Sequence, residues 1–178
     1  MMRAASGERL HRARERGVAL PVVLVIVSMM LVTSAAWFES SLFEARSAAG
    51  MADHLRSCHA ADAALVACTR ALIGGTAVAP VTPAQSGEPT GWKRRETFEA
   101  QAASPLSSWP GATRPPQCLV EAWRIATRPE ARAYLVTARG YGATENAQSW
   151  LQMQVVFDGT RGGSRVEQHW RRVVTRPF

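Results

Sequence analysis

The side chains with chemical potential in this chain are few and widely spaced. Three cysteines stand at Cys58, Cys68 and Cys118. An odd count allows at most one intramolecular bridge and leaves one thiol over. Cys58 and Cys68 fall on one helical stretch, and ten residues of helix separate their Cα atoms by about 15 Å. A disulfide needs about 4.4–6.8 Å, so these two cannot pair while the helix is intact. Cys118 opens a strand-like segment and can meet either of them. Cys68 is favoured because it is nearer the helix end from which the chain departs, and three buried thiols are the alternative. His54, Cys58 and His59 bring metal-binding types together. His54 and Cys58 share a helix face at i,i+4, but His59 points about 100° away, so no metal is expected. No Gly-rich phosphate loop, His-Glu-x-x-His or Cys-x-x-Cys pattern is present, and no Ser/His/Asp set has a recognisable context. Neither an enzyme nor a cofactor is expected.

The element that must position these residues is a long helix, and its first part is apolar. From Val18 to Phe38 about 21 residues run without a formal charge, enough to cross a bilayer core as one helix. Residues 1–17 before it hold Arg3, Arg9, Arg12, Arg14 and Arg16 against Glu8 and Glu15. That is a local net of +3 within the whole-chain +7, leaving +4 for the rest. The far flank carries Glu39 and Glu44, so the positive-inside rule puts residues 1–17 in the cytoplasm and everything after Phe38 across the membrane. In a bacterium that compartment is oxidising, and a disulfide persists there. The remaining basic residues are mostly scattered arginines, which read as solvated surface and not as a nucleic-acid footprint. A secretory signal is a competing reading, with Ser34-Ala35-Ala36 as its small-residue site, but the apolar run exceeds the usual 7–15 residues. Pro21 falls in the first helical turn, where its missing N–H leaves no bond unmade.

The border Arg16-Gly17, followed by Val18-Ala19-Leu20 and the apolar helix, resembles a type IV prepilin leader. The resemblance implies cleavage between Gly17 and Val18 by a prepilin peptidase, and methylation of the new Val18 amine. Major pilins usually carry Glu as the fifth mature residue, where this chain has Val22. That departure is similar to PilX-type minor pilins and to the related K-type minor pseudopilins of type II secretion. The stretch from Glu44-Ala45-Arg46-Ser47 to Cys58-His59-Ala60-Ala61-Asp62-Ala63-Ala64-Leu65 also resembles the PilX-type helix. The likeness covers residues 14–73. It implies a single-pass protein of the bacterial inner membrane with a periplasmic domain, incorporated into the pilus near its tip. The implied role is non-catalytic initiation of pilus assembly. The implied partners are other minor pilins, the major pilin, the prepilin peptidase and the inner-membrane assembly platform. A type II pseudopilin and an adhesive module displayed on the pilus are the alternatives.

Residues 39–73 extend the span into an amphipathic half. Leu55, Cys58, Ala61, Leu65, Cys68 and Leu72 recur at helical steps, and Gly74-Gly75 ends the run. The whole helix is expected to cover about 56 residues, or roughly 84 Å at about 1.5 Å per residue. Gly50 inside it is a flexible point or a neutral exposed glycine.

Residues 74–117 are rich in Pro and Gly and read as irregular loop, with a short helix over 95–103. The cluster Lys93-Arg94-Arg95 beside Trp92 reads as exposed loop. Residues 118–178 hold four strand-like segments, 118–127, 133–140, 149–157 and 165–175, joined by turn-like connectors. Leu151, Met153, Val155 and Phe157 form one apolar face, which needs a cover. The expected fold is therefore α+β and pilin-like, with the long N-terminal helix packed on an antiparallel sheet of about four strands. Trp92, Trp109, Trp123, Trp150 and Trp170 read as core and sheet packing, or as a binding surface.

Overall fold

The computed structural model describes residues 19–76, 81–159 and 165–178. Gly17 and Val18 lie outside the described residues. One helix, α1, runs through Ala19–Ile73. The chain divides into two compact units, residues 1–49 and residues 50–178.

In the first unit, α1 is the only described element. Val22 to Val32 are exposed along their large apolar side chains, as are Trp37, Phe38 and Phe43. This stretch is long and apolar enough to cross a membrane. Hydroxyls on a helix placed in lipid need partners within it. Ser28 Oγ donates to Val25 O at 2.8 Å and Thr33 Oγ1 to Met29 O at 3.0 Å, the back-bonding that lets hydroxyl side chains sit in an apolar helix.

The second unit, residues 50–178, is a five-stranded sheet with one cover on each face. Its strands are β1 (Val81–Ser86), β2 (Gln117–Ile125), β3 (Arg128–Tyr141), β4 (Gln148–Asp158) and β5 (Arg165–Arg172). They lie side by side in chain order. The last four form the antiparallel meander that the turn-like connectors imply, whereas β1 pairs with β2 in parallel. The sheet is thus mixed and has five strands. Residues 74–117 are not all loop: they supply β1, a 3-10 turn at Gly91–Lys93 and the short helix α2 (Arg95–Gln101). Pro83 hides β1 from a sequence reading. It is tolerated because β1 is an edge strand, and the register shifts between Thr82 and Gln85 around it.

Strand alternation sends side chains to both faces. Cys118, Val120, Val136, Ala138, Leu151 and Val155 point to α1. Their neighbours Leu119, Leu135 and Trp150 meet Trp92 and Phe98 on the other side, with Phe178 packed at the rim. The sheet therefore has two apolar faces instead of one, and Gln152, which alternates with the Leu151–Met153–Val155 face, is 1% exposed. It survives burial because its Nε2 donates to Thr137 Oγ1 at 2.9 Å and its Oε1 accepts from Arg171 Nε at 2.7 Å.

The face that α1 buries is also rotated from the one its sequence pattern implies. Ser57, Ala60, Ala61, Ala64, Leu65, Cys68 and Thr69 are buried, while Leu55 is exposed. The reason is Gly140 on β3. A Cβ there would strike the helix backbone at Ser57 O and Ala61 N, and would come within 2.9 Å of Ala60 C. Alanines on one element and a glycine on the other let helix and strand backbones nearly touch. Asp53 and Arg56 hold the same end. Asp53 accepts from Ala143 N and, at 3.2 Å, from Thr144 Oγ1, pinning the β3–β4 turn. The Arg56 guanidinium packs over Gly111. At the other end α1 closes in a Schellman motif. Thr76 N donates to Ala71 O at 2.9 Å and Gly75 N to Leu72 O at 3.3 Å, with Gly75 at φ +71°.

Two glycines should therefore respond oppositely to alanine. Gly50 has nothing within 4 Å of an added Cβ, so Gly50→Ala should raise stability by up to about 1 kcal/mol. Gly140→Ala should lower it by at least the roughly 1–3 kcal/mol of an overpacked core. Thermal unfolding of the two full-length variants checks both signs.

Candidate functional site

Among the described residues, three places hold more than packing: the α1 seam with its cysteines, a free thiol beside it, and a cleft on the opposite face of the sheet.

At the seam, Cys68 and Cys118 form a disulfide, with Cα atoms 6.6 Å apart. Helix period puts Cys68 on the buried face of α1, and strand alternation aims Cys118 at it. The bridge ties the last turns of α1 to β2 across a sequence separation of 50 residues. Cys118 also exchanges two backbone hydrogen bonds with Ala103, each 2.8 Å, so the chain leaving α2 is held at the same point.

Cys58 is the remaining thiol and is half-buried. Its Sγ lies 3.1 Å from Ser149 Oγ and 3.6 Å from His54 Nε2, and Ser57 Oγ meets the same Ser149 hydroxyl at 2.7 Å. Arg172 Nη2 lies 3.0 Å from His54 Nε2. His59 is exposed and turned away. Among the described residues, no three metal-ligating side chains gather.

The cleft on the other face has a volume of about 520 Å³. Arg139 forms its floor. It sits on the inward face of β3, between Thr137 and Tyr141, and is only 3% exposed. Its Nη2 and Nε both donate to Gln117 Oε1, at 2.6 and 3.2 Å. Four rings surround the guanidinium: Tyr141 at 4.9 Å, Phe98 at 5.0 Å, Trp150 at 5.3 Å and Phe178 at 5.5 Å from its centre. Cation–π attraction offsets part of the lost hydration, and burial still pulls the guanidinium pKa below its ordinary value. Among the described residues no carboxylate lies within ion-pair distance of it. Arg95 and Glu99 of α2 line one wall. Arg114, paired with Glu145 at 3.2 Å, lines another.

Sequence reasoning singled out Arg95 within a basic cluster but missed Arg139, Arg114 and Tyr141. The available signal was parity: Arg139 occupies the same strand face as the apolar Leu135, an arginine where a core residue belongs. The tryptophans divide. Trp92 and Trp150 are core, whereas Trp170 is 56% exposed.

A second buried charge supports the wall of this layer. Glu121 on β2 is 2% exposed and accepts from Trp92 N at 3.3 Å. Burial raises its pKa above the ordinary 4.5, against the opposing hydrogen bonds of the Trp92 and Gly91 amides and the charge of Arg94.

Comparison with family models, with characterised proteins and with solved structures finds no match for this chain.

Two outcomes follow from this chemistry. A loop of this length closed by a disulfide is worth about 4 kcal/mol in the chain-entropy picture. Reduction, or Cys68→Ser, should therefore lower the melting temperature and change mobility on non-reducing gels, and alkylation before reduction should label only Cys58. For Glu121, the folded-state pKa lies above the unfolded one. Its stabilising contribution is whole below the unfolded value and is lost as pH rises through the folded value. Glu121→Gln should thus raise the melting temperature at pH 7 relative to wild type and change it less at pH 4.

Proposed function

We propose that the chain is a non-catalytic, membrane-anchored minor pilin of PilX type that acts in the initiation of type IV pilus assembly. The observation that carries this reading is the single helix Ala19–Ile73. Its first half is a bare apolar rod suited to lipid or to a bundle of like helices, and its second half is built into the core of an α+β domain. A simple anchor needs no such continuity, because a linker would serve. A subunit that must transfer its apolar helix from lipid to a filament core gains from a helix that runs on into its domain without a linker. The Arg16-Gly17-Val18 border supports the reading from the sequence side, and Val22 in place of Glu favours a minor over a major subunit. In this reading the domain faces the periplasm, where the Cys68–Cys118 bridge is stable. The partners are the prepilin peptidase, the assembly platform and other pilins.

The mature N-terminus tests it. Edman sequencing or intact mass of protein from the native membrane should begin at Val18 with a methylated amine, and Gly17→Ala should accumulate the precursor. A terminus after Ala36, or normal processing of Gly17→Ala, would show a secretory signal or a plain anchor. Deletion of the gene should abolish surface pili. Retained pili with lost attachment would instead support the adhesive alternative.

A further inference from the structure

The cleft over Arg139 is built for a ligand and not only for stability. An arginine that is only 3% exposed carries a large desolvation cost and is ordinarily met by a carboxylate. Here the protein meets it with one amide oxygen and four rings. Gln117 takes up Nε and Nη2, and Nη1 has no acceptor among the described residues. A second polar group is unpaired in the same place. Gln148 Nε2 donates to Glu145 O at 2.7 Å, which leaves Gln148 Oε1 buried without a partner among the described residues. The site thus presents one unmatched cationic donor and one unmatched acceptor. The volume falls in the usual range for small-molecule sites.

We propose that this cleft binds a sugar acid, with the ligand carboxylate on Arg139 and its hydroxyls on the walls. The charges of the walls limit the choice. Arg95 and Arg114 add donors, while Glu99 and Glu145 add acceptors and disfavour a polyanion. Groups that both donate and accept satisfy such mixed walls, and hydroxyls do so where an ammonium can only donate. One carboxylate with several hydroxyls matches that set. The half-buried Phe178 ring beside Arg139 offers an apolar surface for the C–H face of a sugar ring. All of these residues belong to the 50–178 unit, so the site is independent of the membrane helix and of the pilin reading.

Calorimetric titration of the full chain, in a detergent free of sugar, tests the assignment with glucuronate as the probe. Saturable binding is expected, with glucose and acetate each weaker by at least about tenfold, the value of one hydrogen bond to a charged group. Arg114→Gln and Arg95→Gln, both at the rim, should fold normally, and at least one should lose affinity several-fold. Arg139→Gln should abolish binding, and if it fails to fold the two rim variants carry the test. No saturable glucuronate binding to the wild type overturns the proposal. So does binding that neither rim variant weakens, and so does tighter binding of free glutamate, which would mark an amino-acid site.

Discussion

The structure of the globular unit depends on one close approach, the backbone of α1 against the backbone of β3 at Gly140. No side chain separates them at Ser57, Ala60 and Ala61. Close contact of this kind tolerates little change, because a single methyl at Gly140 would have to displace helix backbone. It also sets the height at which the rest of the helix lies over the sheet. Leu65 reaches the layer of Val120, Val136 and Val155, and Cys68 comes within bridging distance of Cys118. Asp53 and Arg56 then gather the β3–β4 turn and the Gly111 loop at the same helix end. The seam is therefore locked at one end by polar contacts, in the middle by small residues and at the far end by a disulfide.

This seam couples the helix to the function we infer. A helix that must keep its bearing when it moves between lipid and a protein bundle is useful only if its distal half cannot rock on its domain. Small-residue packing supplies that rigidity at the cost of apolar area, since alanines bury little surface. The covalent bridge restores some of what is lost. The stability of the fold is thus tied to a bond that persists only in oxidising surroundings.

The opposite face of the sheet follows different rules. It carries polar groups in its interior, at Arg139, Glu121 and the Gln152–Thr137 pair, which the exposed Arg171 reaches from the surface. Buried polar groups of this density demand fixed geometry, because each one left unpaired is costly. The crossover from β1 to β2, with its 3-10 turn and α2, covers this face and supplies Trp92 N to Glu121 and the Phe98 ring to Arg139. A layer that reads as Pro-rich loop is therefore what makes the polar interior tenable.

Much was determined locally and was legible in the sequence. The apolar run after Gly17, the helix ending at Gly74-Gly75, the four antiparallel strands and the α+β class all rest on period, punctuation and length, which neighbouring residues decide among themselves. What the tertiary structure decided was which faces meet. Leu55 has the right period for the core but lies exposed, because Gly140 draws the Ala60–Ala61 side of the helix inward. Val81–Ser86 has no strand signal, and forms one because β2 offers an open edge that can absorb Pro83. Strand parity puts Arg139 on the face of Leu135, but nothing local says how a buried guanidinium is accommodated there. It lies inside because rings and an amide from four distant segments close around it, and such convergence is absent from any short window of sequence.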